Sequence, residues 1–324
     1  MEERQLSGDA GDGAKLTQHR EIRVVADATE LTRAAAEEVV AALARRSAPA
    51  SGEQPGPASG EQPAPRSSAA ATVPTPFPTV ALAGGSTPRA LYRLLADPAA
   101  PYRGRIDWPA IHFFWGDERH VPPDHPDSNF RMAREAMLDH VPAPAAHVHR
   151  IASEEPDAAR AAERYERELI DLFGLRAGGQ DGETARPAGR AAELDWPRFD
   201  LVLLGLGEEG HTASLFPGSP LLAGTPMLAS TPMLAGTRPP GRLAAAVWVD
   251  KLATWRVTLT PAALNHAATV IFLVSGAAKA PALAAVLEGE PRPLLYPAQV
   301  VAPSDGRLLW LVDRAAAAQL ASHG

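Results

Sequence analysis

The sequence predicts a three-layer α/β/α sandwich around a mostly parallel, Rossmann-like central sheet, and three observations carry that reading. Apolar runs such as Leu201 to Leu204 are too short for helices and hydrophobic throughout, as strands buried on both faces require. They run into glycine-containing loops, among them Gly84-Gly85-Ser86, Gly116-Asp117 and Gly205-Leu206-Gly207. Helical patterns separate many of them, and alternating β and α elements place a parallel sheet between helices.

In order along the chain, residues 22 to 26 read as a first strand, and Thr29 is expected to cap a helix running to about Arg46, with Leu31, Ala35, Val39 and Leu43 on one face. Residues 47 to 76 are rich in Ala, Pro, Ser and Gly and contain the tandem repeat ASGEQPGP, ASGEQPAP, which has too little apolar surface to order itself. A strand from Thr79 to Ala83 follows, then a helix from Arg89 to Leu95. The run His112 to Trp115 is a further strand, entering Gly116-Asp117-Glu118-Arg119. A helix is expected to begin near Ser128, and an amphipathic one spans Pro156 to Phe173. Strands are expected at 201–204, 245–249, 256–260, 270–274 and 308–312, with a helix opened by Pro261 and another after Lys279. Residues 177 to 193 and the near-repeat at 222 to 241 read as further inserts. The expected organisation is thus a flexible tail, 1–21, and one α/β domain, 22–324.

Composition narrows the chemistry. The chain has 324 residues and a net charge of -7, with its basic residues scattered, which gives no electrostatic footprint for nucleic acid. It has no cysteine, which excludes disulfides and thiolate catalysis, and no His-Glu-x-x-His spacing suggests a metal. No metal and no cofactor are expected. The first residues carry no apolar signal-like run and no segment approaches membrane-spanning length, so the expectation is a cytoplasmic protein without a membrane partner.

Three constellations carry chemistry. The loop after Leu204 delivers His211 next to Glu208 and Glu209. A lone loop histidine is usually structural, but a carboxylate beside it can fix its tautomer and raise its basicity. Ser214 lacks the flanking glycines of a nucleophile elbow. The loop Gly84-Gly85-Ser86-Thr87 stands between a strand and a helix containing Pro88. It reads equally as a phosphate cradle of unpaired N–H groups and as a tight turn with Ser or Thr as N-cap. Lys279, just inside a helix where a cation opposes the dipole, is either a ligand for an anion or a solvated lysine. Asp117 and Arg119 are either a surface ion pair or site residues at the carboxyl end of a strand.

Taken together, LAGGSTP, GDERHVPPDHPDSNF, LLGLGEEGHTASLFPG, RVTLT and SGAAK, in that order, resemble the 6-phosphogluconolactonase family, relatives of the glucosamine-6-phosphate isomerase/deaminases. The resemblance implies a metal-free hydrolysis of 6-phospho-D-glucono-1,5-lactone to 6-phosphogluconate, in the oxidative pentose phosphate pathway; a monomer is expected. It implies His211 as the base that activates water, Asp117 facing it, and Glu209 in place of the aspartate usual in the family. Gly84, Gly85, Ser86, Thr87, Arg119, Lys279 and Arg256 become the contacts for phosphate or substrate. Two rivals stand beside it. A deaminase would carry an acidic residue shortly after the histidine, where this chain has Thr212, Ala213, Ser214 and Leu215. A non-catalytic sugar-phosphate sensor would carry a partner or DNA-binding domain, for which residues 1–21 are too short.

Overall fold

The computed structural model describes residues 20–47, 72–175, 196–222, 242–303 and 305–321. It is an α/β fold whose central sheet has six parallel strands: β1 (Arg20–Val25), β3 (Thr79–Leu82), β4 (His112–Trp115), β7 (Leu201–Gly205), β10 (Thr269–Val274) and β11 (Arg307–Asp313), in the order β1-β11-β10-β7-β3-β4. The interior strands are apolar on both faces because helices cover the sheet. All of β10 is buried, whereas edge strand β1 is only partly so. The helices are α1 (Ala28–Ser47), α2 (Ser86–Ala96), α3 (Asn129–Ala136), α4 (Ala158–Phe173), α5 (Pro261–Asn265) and α6 (Ala280–Leu287). Among the described residues no helix is long and apolar enough to cross a membrane.

Chain order reverses between β3 and β7. From β3 the chain moves outward to β4, and from β7 it moves the other way to β10. A crevice therefore opens beyond the carboxyl ends of β3 and β7, because the loops leaving them diverge.

The expectation of alternating β and α elements throughout is corrected by a second sheet. Asp117–Arg119 is a strand, β5, pairing antiparallel with β9 (Thr254–Leu259), which pairs antiparallel with β8 (Ala244–Val249). The connection from β8 to β9 is too short for a crossover, so the pair must be a hairpin. Gly116 joins the two sheets: its N–H donates to Leu82 O of β3 at 2.9 Å, and its carbonyl accepts from Leu259 N at 2.8 Å. Two buried tyrosines finish the neighbouring strand ends. Tyr92 Oη accepts from Ala83 N and donates to Ala83 O, and Tyr165 Oη does the same at Trp115. Each satisfies both backbone groups where the ladder stops.

Smaller corrections concern ends. Arg20 and Glu21 belong to β1, not to a tail. Helix α1 starts at Ala28, so its cap is Asp27, whose Oδ1 accepts from Thr29 N and Glu30 N; Thr29 lies inside the helix. Helix α2 starts earlier than expected, capped by the backbone of Gly85 with no side-chain bond, which removes Ser86 and Thr87 as caps. Thr72–Val73, within the expected insert, pairs as β2 with β6 (Trp196–Pro197). Of the insert expected at 47–76, Ser47 ends α1 and 74–76 are described, while 48–71 lie outside the described residues, as do the insert expected at 177–193 and, apart from Leu222, the one expected at 222–241.

Candidate active site

The crevice beyond β3 and β7 holds a cavity of about 210 Å³. Gly84, Gly85, Asp117, Arg119, His211, Arg256 and Lys279 all line it, so residues spread over much of the chain meet at one point. Ser86 and Thr87 do not line it. They form the first turn of α2, whose leading N–H groups have no intrahelical acceptor.

His211 is held by the loop that follows β7. Gly207 N donates to His211 O at 2.8 Å, and Thr212 Oγ1 donates back to Gly205 O at 2.9 Å. Gly210 adopts φ +80, favourable only for glycine, while Tyr296 packs where its side chain would be. The imidazole lies on Gly207 so closely that a Cβ there would fall 1.9 Å from Nδ1. Phe216 stacks on it with centroids 4.2 Å apart.

Nδ1 is buried, 3.3 Å from Glu209 Oε2, but in a geometry that makes no hydrogen bond. Burial lowers the His211 pKa, against the opposing pull of Glu209 and Asp117. Burial also opposes the Glu209 charge, yet its backbone hydrogen bond, His211 and Lys251 outweigh that, so its pKa is lowered. Lys251 Nζ reaches the other Glu209 oxygen at 3.3 Å. The arrangement keeps the imidazole neutral near neutrality, with Nε2 as the nitrogen left for a proton.

Asp117 opens β5 and is buried; Asn129 Nδ2 donates to its carbonyl at 2.9 Å and to Oδ1 at 3.3 Å. Arg256, paired with Arg119 across the β5–β9 ladder, brings Nη1 to 3.9 Å from Asp117 Oδ2 and lies over the Phe216 ring. Burial lowers its pKa, but a guanidinium remains charged. Arg119 Nη1 donates to Asp127 O at 2.6 Å. Lys279 follows Gly276, whose N–H and neighbouring Ser275 hydroxyl are both tied to Asp313; its nearest carboxylate is Glu208, at 3.9 Å. Three cations thus face one small cavity with little neutralisation, a setting for an anion.

Two residues were not singled out by sequence reasoning. Asn129, buried in the wall, occupies the space a Cβ on Gly84 would need, at 1.9 Å from its Oδ1, which is why position 84 must be glycine. Glu118, 1% exposed, accepts from Arg119 N, Asn129 N, Phe130 N and Ser128 Oγ and so anchors the start of α3. Burial raises its pKa against those bonds. Both lie in the segment from Gly116 to Phe130, which has no hydrophobic periodicity to mark them. Among the described residues no group of three or more His, Asp or Glu could hold a metal ion.

The family model for glucosamine-6-phosphate isomerases/6-phosphogluconolactonase matches residues 66–310. The chain is 40% identical to the 6-phosphogluconolactonase of Synechocystis sp. over 242 residues, covering 75% of this chain and 84% of the relative. A Nostoc sp. 6-phosphogluconolactonase is 39% identical with the same coverage. The solved 6-phosphogluconolactonase of Trypanosoma brucei superposes with a TM-score of 0.65 at 30% identity, over 94% of this chain and 100% of that one. A monomeric glucosamine-6-phosphate deaminase, at 18% identity and a TM-score of 0.62, shares the fold. With that cavity, those motifs and these relatives, the chain belongs to the glucosamine-6-phosphate isomerase/6-phosphogluconolactonase family.

Proposed function

We propose that this protein hydrolyses 6-phospho-D-glucono-1,5-lactone to 6-phospho-D-gluconate, the lactone-opening step of the oxidative pentose phosphate pathway. The observation that carries the reading is His211, neutral and buried on its Nδ1 side, in the same cavity as Arg119, Arg256 and Lys279. The relatives named above bear the same activity in their names.

The cations and the leading N–H groups of α2 hold the phosphate and fix the distance to the lactone ring. His211 Nε2 takes a proton from water as the water oxygen bonds to the lactone carbonyl carbon. The tetrahedral intermediate then collapses, the bond from that carbon to the ring oxygen breaks, and the imidazolium returns the proton to the departing oxygen. One imidazole serves both steps, and the net reaction consumes one water. Glu209 and Asp117 favour the imidazolium when it forms. The proposal includes action by a monomer built on a single α/β domain.

The test generates the lactone in situ and compares its opening with wild type, His211→Ala and no protein, because the lactone also opens spontaneously. Acceleration by wild type alone is expected. No acceleration by wild type overturns the reading, and full activity in His211→Ala removes the base.

A further inference from the structure

Ser214, rejected as a nucleophile by its flanking residues, is fully buried, and its hydroxyl donates to Asp117 Oδ2 at 2.6 Å. Its own N–H donates to Thr258 Oγ1 at 3.3 Å, and Thr258 is the ladder partner of Asp117. The residue before it, Ala213, lines the cavity with φ +47, a backbone conformation that a Cβ disfavours. Such strain persists only where the surroundings impose it, and here it turns the Ser214 hydroxyl inward toward a carboxylate.

The same Oδ2 lies 3.9 Å from Arg256 Nη1, too far for a hydrogen bond. Two donors therefore contend for one oxygen, and the hydroxyl holds it. We propose that Ser214 is a positioning residue that keeps Asp117 off Arg256. Asp117 stays anchored beside the His211 loop, and Arg256 remains free to meet the substrate's anionic or polar groups. Without the hydroxyl, Asp117 turns onto Arg256 and closes a direct ion pair, which takes the guanidinium away from the substrate. This inference rests on the lactonase reading for its kinetic consequence but not for its structural one.

Crystal structures of Ser214→Ala and Ser214→Thr, with kinetics, decide it. In Ser214→Ala the Asp117 to Arg256 distance is expected to close to about 2.8 Å. KM is expected to rise about tenfold, the effect of losing one charge-assisted contact. Ser214→Thr, which keeps the hydroxyl, restores both. In an Arg256→Ala background Ser214→Ala adds no further rise in KM. An unmoved Asp117, or a fall in kcat at unchanged KM that tracks lost folded protein, overturns the proposal. If alanine leaves the chain unfolded, Ser214→Cys keeps the volume and weakens the donor, and the same two readouts apply. A wild type without lactonase activity defeats the functional reading while the crystallographic comparison still decides the role of Ser214.

Discussion

Strand β4 has a histidine centre at each end of its neighbourhood, and the two are built from the same groups. Beyond the strand's carboxyl end lies the cavity with His211, a carboxylate near Nδ1 and an aromatic ring on its face. At its amino end His112 bonds through Nδ1 to His149 Nε2 at 2.8 Å, and His149 Nδ1 meets Glu168 Oε1 at 2.8 Å. The His112 ring is stacked between Phe77, 3.7 Å away, and His147, 3.9 Å away. Burial lowers both pKa values, for His112 to about 4, with His147 and His149 adding to the effect. An imidazole and a carboxylate are thus insufficient to make a site. One end has glycines that let side chains withdraw, a cavity and three cations; the other is filled with rings.

The largest effect should separate the two ends outright. His211→Ala is expected to lower kcat by about 10²- to 10⁴-fold while phosphate-dependent binding survives, whereas His112→Phe leaves kcat within about twofold. Lactone hydrolysis above the spontaneous rate measures both, and a comparable loss in His112→Phe would erase the distinction. Next comes Gly207→Ala. Its methyl group must push the imidazole aside, and a displacement of about 1 Å costs about a hundredfold in rate. Kinetics with a crystal structure of the variant check this, and an unmoved ring with full activity would contradict it. Lys279→Ala is smaller and of another kind: KM rises about tenfold with kcat nearly unchanged, as loss of one phosphate contact implies.

The pH response sharpens the comparison further. As the proposed base, His211 must be neutral to act, and its pKa lies below the ordinary 6.5, so kcat/KM should hold through neutrality and fall only on the acid side of 6.5. His112 speaks through stability instead. Its pKa of about 4 in the folded protein lies below the unfolded value of 6.5, so the unfolded chain takes the proton first. Its contribution is complete above pH 6.5 and is lost as pH falls toward about 4. Thermal melts across that range should show the decline, and His112→Phe should be less stable at neutrality but flatter between those values. An equal slope in that variant would assign the decline to other groups.

The interior strands of the central sheet were legible because burial on both faces writes itself as apolar runs; β10, predicted from Val270, begins one residue earlier. The second sheet was less legible. Strand β5 is Asp-Glu-Arg, which no hydrophobic pattern marks, and it is a strand only because β9 arrives beside it from far along the chain. The site followed the same division. His211, Asp117, Arg119 and Lys279 were visible as titratable or charged groups next to glycine turns. Asn129 was hidden because its importance is a close approach to Gly84, a tertiary fact with no local periodicity. Ser86 and Thr87 were read either as part of a cradle of backbone N–H groups or as N-caps; Gly85 is the cap, and Ser86 and Thr87 form the first turn of α2 without lining the cavity.

Gly116 gives its N–H to one sheet and its carbonyl to the other. A single peptide-linked residue is therefore the seam between the half of the molecule that supplies His211 and the half that supplies Arg256. The smaller sheet cannot be trimmed away or exchanged as a module, since any cut or insertion at this seam would move Arg256 away from His211, the proposed base. A backbone change at Gly116 therefore acts on both sheets at once, whereas a change in an outer connection touches only one.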